Sequence, residues 1–128
     1  MALVKGIHHV CMKCDTMEKY EEAIRFYHEI LAFPVVRQWP AGMMLSTGNG
    51  LIELFNNVED RLPQGTIRHF ALATDDVDAL AKRIEEAGYP ITDPCHDVTI
   101  PSEPPFDIRI AFCIGPVGEE IELFEERS

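Results

Sequence analysis

Ile52-Glu53-Leu54-Phe55 returns as Ile121-Glu122-Leu123-Phe124, a spacing of 69 residues. Around this pair, His9-Val10-Cys11-Met12 lies over His69-Phe70-Ala71-Leu72 at a spacing of 60, and Asp15 lies over Asp75 at the same spacing. The same residue types in the same order mark an internal repeat, and a repeat sets the architecture. Each Asp stands where a helix N-cap belongs, because its carboxylate can accept from the free amides of the first turn. The first helix then carries Met17, Tyr20, Ile24, Tyr27 and Leu31 on one stripe, and the second Val77, Leu80, Ala81, Ile84 and Ala87. Gly88 is the expected stop of the second.

Short apolar runs separated by turn residues follow each helix. In the first half they are Pro34 to Trp39, Met43 to Thr47 and Leu51 to Phe55, with Ala41-Gly42 and Gly48-Asn49-Gly50 as turns. In the second half they are Tyr89 to Thr92, Asp107 to Ile114 and Glu120 to Phe124. The extra residues between the two offsets fall in Asp93 to Phe106, whose four prolines predict a loop. The chain therefore reads as one α+β domain, 1–128: a βαβββ repeat over 6–55, a linker over 56–66 and a second βαβββ repeat over 67–126. Two curved mixed sheets with the helices outside are expected.

A chain of 128 residues is long enough to bury a core without disulfides or a structural metal. The net charge of −11 argues against nucleic acid, which demands a basic footprint, and against anionic membranes. No apolar stretch approaches the roughly 20 residues that span a bilayer, and the N-terminus lacks the pattern of a signal peptide, so a cytoplasmic protein is expected. Cys11 and Cys14 form a C-x-x-C pair, but on a strand side chains three apart point to opposite faces, and there is no second pair. Free thiols are expected.

Strand alternation decides which side chains meet. His9, Cys11 and Lys13 share one face of the first strand, while His8, Val10 and Met12 share the other. The repeat selects His9 over His8, because His9 is the residue that lies over His69. Glu53 shares a face with Leu51, Phe55 and Asn57, opposite Ile52 and Leu54, which must pack under a helix; Glu122 has the same phase. Carboxylates buried on the inner side of a sheet are costly without a counter-charge. Two imidazoles with two carboxylates suit zinc, nickel, cobalt, iron or manganese. His9, Glu53, His69 and Glu122 are thus expected to converge on one divalent ion.

These residues resemble the vicinal oxygen chelate superfamily of glyoxalase I, methylmalonyl-CoA epimerase, fosfomycin-modifying thiol transferases, extradiol dioxygenases and bleomycin-binding proteins. The resemblance runs from Gly6 to Glu126. It is strongest to the small bacterial glyoxalase I enzymes, whose ligands come in the order His, Glu, His, Glu. Ile52-Glu53-Leu54-Phe55-Asn56-Asn57 is similar to the stretch after their first glutamate, and Asn57 matches an asparagine there that touches glutathione. The resemblance implies a lactoylglutathione lyase-like reaction, in which the hemithioacetal of methylglyoxal is isomerised through an enediolate. Glu122 is implied as the base, and Glu53 as ligand and possible second base.

Departures bear on the thiol. Lys13 replaces an arginine that those enzymes direct at the glutathione γ-glutamyl carboxylate, and Lys lacks the bidentate fork. Gly65 stands where some members place another arginine, and no lysine follows Lys82. Gly115-Pro116-Val117-Gly118 replaces an acidic Asp-Pro-Asp-Gly turn. The metal chemistry carries over, and glutathione as the thiol does not. Lys13, Asn57 and Arg109 are the expected substrate-binding residues, Arg109 because it is in phase with Ala111 and Cys113 and can either enter the pocket as an anion anchor or cover its rim. Trp39 and Phe106 read as core more readily than as a substrate platform.

Three rivals share the fold. An extradiol dioxygenase uses two histidines and one carboxylate, and the second glutamate opposes it. An acyl-thioester or sugar-acid epimerase would use the same set of ligands. A non-catalytic resistance-type protein binds a small molecule without metal. The expected partners are a small molecule, such as a thiol adduct, and a second copy of the chain in a homodimer.

Overall fold

The computed structural model describes Leu3, residues 7–57 and residues 69–127. The chain divides into two compact units, Met1–Pro63 and Gln64–Ser128. Most of the expected linker, with Gly65 and the first two residues of the second repeat, lies outside the described residues.

The first unit runs β1 (His9–Lys13), α1 (Met17–Ile24), a π-helical turn (Arg25–Ile30), β2 (Val35–Trp39), β3 (Gly42–Ser46) and β4 (Leu51–Phe55). Its sheet has the order β1-β4-β3-β2, with β1 parallel to β4 and the other pairs antiparallel. The second unit repeats the plan with β5 (Phe70–Ala73), α2 (Val77–Glu86), β6 (Ile91–Ile100), β7 (Phe106–Ile114) and β8 (Glu120–Glu126), in the order β5-β8-β7-β6. The duplicated βαβββ reading is therefore the observed architecture. Among the described residues no helix is long and apolar enough to cross a membrane.

Alternation explains where each core lies. Ile52 pairs with Leu45 and Leu54 with Met43, and these four buried side chains form one face of the first sheet. Tyr20, Ala23, Phe26 and Tyr27 supply the buried side of the helical segment. The Tyr27 hydroxyl donates to Met12 Sδ at 3.8 Å, which ties that segment to β1. In the second unit Ile121, Leu123, Ala111 and Cys113 are buried with Val77, Ala81 and Ile84 of α2. Each fully buried Leu or Ile contributes about 1.5–3 kcal/mol, so these faces dominate the stability of each unit.

Four local expectations are corrected. The helix caps fall one residue later than Asp15 and Asp75. Thr16 Oγ1 accepts from the Lys19 amide at 3.0 Å, and Asp76 Oδ1 from the Ala79 amide at 3.0 Å. A cap oxygen must reach the amide three residues on, so the helix starts at Met17 and Val77 decide the cap. The stripe of the first helix also shifts: Met17 is 55% exposed, whereas Ala23 and Phe26 are buried. Here the Leu31 amide bonds to the Phe26 carbonyl, five residues back, at 2.9 Å. That wider turn lets the consecutive Phe26 and Tyr27 both reach the core.

The segment Asp93 to Phe106 is not a loop, because β6 runs to Ile100 and pairs with β7, leaving only residues 101–105 as the connection. Pro94 sits where the pairing register shifts between Asp93 and His96, on the edge strand of its sheet. A proline is tolerated there because it removes no ladder bond that the sheet needs.

Gly88 ends α2 as expected, with φ of +97°. The Tyr89 amide reaches the Ile84 carbonyl at 3.2 Å and the Gly88 amide the Glu85 carbonyl at 3.0 Å. Gly88→Ala should therefore destabilise the protein by about 1–2 kcal/mol. Gly50→Ala, whose added Cβ would find only ordinary contacts, should shift the urea midpoint far less. Equal midpoints for the two variants would refute this account.

Candidate functional site

On the face of the first sheet opposite α1, the register places Cys11, Glu53, Met44 and Arg37 abreast across the four strands. Two residues along, Lys13, Phe55, Gly42 and Trp39 form a second row. His9 shares this face, and its Nε2 lies 3.4 Å from Glu53 Oε1. Glu53, 8% exposed, is the one buried charged residue among those described. His9 Nδ1 is 2.9 Å from Nδ1 of His8, so a neighbouring ring holds the far side of the imidazole and Nε2 faces the carboxylate. Burial, and then the Glu53 carboxylate beside it, push the Cys11 thiol above its ordinary range.

The second row is aromatic. Phe55 meets Trp39 edge-on at 5.7 Å, and Lys13 Nζ stands 5.6 Å from the centre of the Phe55 ring. Gly42 separates the two rings in the register, and a Cβ there would collide with the Leu54 carbonyl and come within 3.2 Å of the Trp39 ring.

In the second unit Ala71, Glu122, Phe112 and Asp93 stand abreast. His69 Nε2 lies 3.3 Å from Glu122 Oε1, and His69 Nδ1 lies 3.8 Å from Glu120 Oε1. Phe112 meets the His69 ring edge-on at 5.3 Å, and Phe106 contacts Phe124 at 6.1 Å.

Both units thus bring a histidine Nε2 to one oxygen of a glutamate at nearly the same separation. The span exceeds that of a good N–H···O hydrogen bond, about 2.7–3.2 Å. It matches the gap between neighbouring donors around a divalent ion with bonds of about 2.1 Å. Imidazole nitrogen and carboxylate oxygen are donor types that suit a cation such as zinc or nickel. Among the described residues no three His, Cys, Asp or Glu side chains gather in a metal-holding cluster, so each unit offers a pair.

Arg109 stands apart from these pairs. It is in phase with Ala111 and Cys113 as expected, but that phase faces α2, opposite Phe112 and Glu122. Its guanidinium donates through Nε and Nη2 to Asp78 at 2.9 Å each and through Nη1 to Asp97 at 3.2 Å, clamping the first turn of α2 to β6. Its hydrogen bonds hold the Asp78 carboxyl below its ordinary range. Arg109 is thus a structural residue. Asn57 is exposed just past β4, while its neighbour Asn56 closes the turn by donating to the Pro40 carbonyl at 3.0 Å. Sequence reasoning overlooked Arg37, and it set aside His8, whose ring meets that of His9. The parity of Arg37 with Trp39 along β2 was the available signal.

A family model described as Glyoxalase/Bleomycin resistance protein/Dioxygenase superfamily matches residues 6–104. No curated protein matches the sequence. Among solved structures, a lactoylglutathione lyase from Agrobacterium tumefaciens superposes with a TM-score of 0.68 at 17% identity, over 97% of this chain and 96% of that one. An antibiotic-binding protein from a Streptomyces species superposes at 0.75 with 22% identity, over 99% and 100%. A glyoxalase/bleomycin resistance protein/dioxygenase from Alicyclobacillus acidocaldarius gives 0.69 at 19%, over 97% and 93%. At these identities the likeness concerns the fold.

The Arg109 clamp makes a pH-dependent prediction. A carboxyl whose pKa is lowered by folding stabilises the native state above its unfolded pKa, and that contribution is lost as pH falls through the folded one. Arg109→Ala should lower Tm at neutral pH, and the gap from wild type should close in acid as Asp78 protonates. A gap that is constant across pH, measured by thermal melts, would remove Asp78 from the explanation.

Proposed function

We propose that this chain, which belongs to the glyoxalase/bleomycin resistance protein/dioxygenase superfamily, is a metal-dependent lyase that moves a proton between adjacent carbons of a 2-oxoaldehyde hemithioacetal. The observation that supports it is the His–Glu pair repeated at the same register in both units, His9 with Glu53 and His69 with Glu122. In this reading His9, Glu53, His69 and Glu122 would be the ligands for a divalent ion. When bound, the ion would supply Lewis acidity toward substrate oxygen.

The remaining chemistry belongs to the carboxylates. Glu122 takes the proton from the carbon bearing sulfur and returns it to the adjacent carbon, leaving a 2-hydroxy thioester. Glu53 is the more enclosed of the two, being buried with Cys11 as its register partner on β1, whereas Glu122 is half-buried and its register partner on β5 is Ala71. That difference favours Glu122 as the base and Glu53 as ligand and second base. Lys13, above the Phe55 ring, contributes positive charge at the margin of the same face. An epimerase acting on an acyl thioester would use the same carboxylates, and solvent deuterium exchange distinguishes it.

A second reading, a non-catalytic small-molecule binder, draws support from the half-buried Trp39–Phe55 and Phe106–Phe124 pairs and from the antibiotic-binding structural neighbour. It predicts ligand uptake without turnover under any metal.

The lyase reading predicts about one divalent ion per chain, released by chelator. Glu122→Gln keeps an oxygen donor but no proton acceptor, so turnover of methylglyoxal hemithioacetals should fall by roughly 10²- to 10⁴-fold while metal binding only weakens. His69→Ala should lose activity through metal loss and recover in part with added nickel or zinc. Wild-type turnover near zero with every metal, or Glu122→Gln at wild-type rate, would defeat the respective claims.

The same reading includes a homodimer, since each sheet has a face bearing half-exposed aromatic residues that a second copy can cover. Light scattering at micromolar concentration should then report twice the 14.5 kDa chain mass. A monomer would rule the dimer out.

A further inference from the structure

We infer that Arg37 is the anchor for a carboxylate on the substrate, so that the hemithioacetal taken by this protein carries an anionic arm. The inference deepens the lyase reading and rests on it for the identity of the reacting group.

Arg37 stands on β2 in the same register row as Met44 and Glu53, on the face that carries the His9–Glu53 pair. Two inter-strand spacings separate the Arg37 and Glu53 backbones, about 10 Å. A small molecule held at Glu53 can reach the guanidinium. The hydrogen-bond partner of that guanidinium is the Met44 thioether, with Nη1 to Sδ at 3.1 Å. A thioether is a weak acceptor for a group with five donors.

The pairing of the other arginines makes this position informative. The chain has 22 acidic residues against 11 Lys and Arg, so carboxylates are in excess. Arg25, Arg109 and Arg127 each meet one, at Glu29, at Asp78 and Asp97, and at Glu125. Among the described residues Arg37 meets none, and neither does Arg83 of α2; both are exposed, and what distinguishes Arg37 is its register on the face of the His9–Glu53 pair. The corresponding row of the second unit carries Asp93, bridged to His96 at 3.7 Å, so the cation is peculiar to the first unit.

The fork of a guanidinium matches the two oxygens of a carboxylate, which Lys13, a point charge, cannot do. Trp39 shares the strand and the face with Arg37, two residues along, with its ring against Phe55. The arrangement therefore has a reacting end at His9 and Glu53 and a carboxylate end at Arg37. A hydrogen bond to a charged group is worth about 1.5–3 kcal/mol, equivalent to a preference of roughly ten- to a hundredfold.

The chain has a single tryptophan, so Trp39 emission reports on this face without any turnover. Zinc-loaded wild type, Arg37→Ala and Arg37→Lys would be titrated with 4-phenylbutanoate and with its neutral amide. Wild type should bind the carboxylate at least tenfold more tightly, Arg37→Ala should bring the ratio to about one, and Arg37→Lys should fall between. Added salt should reduce the wild-type ratio. In turnover, kcat/KM for the methylglyoxal adduct of 3-mercaptopropionate over that of 2-mercaptoethanol should show the same preference, carried by KM.

Equal binding of acid and amide by wild type, a preference that survives in Arg37→Ala, or no saturable emission change would each overturn the assignment. Absence of turnover with every thiol and metal would sink the lyase reading instead, while the emission titration would still decide the role of Arg37.

Discussion

Burying Ile52 and Leu54 under one helix, and Ile121 and Leu123 under another, forces a carboxylate onto the opposite face of each sheet, because a strand turns successive side chains to alternate sides. Glu53 and Glu122 stand where they do because of their neighbours. The parallel pairing of β1 with β4 and of β5 with β8 then brings a histidine to each glutamate. Cys11 lies opposite Glu53, and Ala71 opposite Glu122, so the histidine two residues earlier sits diagonally across the ladder in both cases. Parallel neighbours need a long crossover, which the helical segment and two further strands supply. The hydrophobic pattern and the candidate chemistry are two faces of one constraint.

Much of this was legible in the sequence because it depends on period and repetition. The offsets of 60 and 69 located the two units, the alternation of Ile-Glu-Leu-Phe set the facing of the glutamates, and the lie of His9 over His69 chose between adjacent histidines. What escaped depends on local geometry that residue type does not encode. The π-helical turn that buries Phe26 and Tyr27 together has no signature in a 3.6-residue stripe. Pro94 suggested a loop because its place on an edge strand was invisible without the sheet order. Arg109 keeps the expected phase, but its partners Asp78 and Asp97 come from other elements and could not be read from that phase.

The two units have diverged in what their open faces offer. The first carries two cations, Lys13 and Arg37, beside Trp39 and Phe55. At matching register the second places Phe112 and Asp93, with Phe124 in the next row of β8. A fold built twice can repeat the demanding part, a histidine positioned against a carboxylate, and vary the rest.

The kink in β6 bears on how copies of this chain meet at high concentration. An edge strand with regular, unpaired amides and carbonyls is a template onto which another chain can add by hydrogen bonding, the first step of sheet-like aggregation. Here the outer strand of the second sheet is broken in register at Asp93 and His96 and lacks a donor at Pro94. A second β6 brought alongside would find mismatched partners along that stretch. The irregularity that hid the strand from sequence patterns also keeps that edge from propagating.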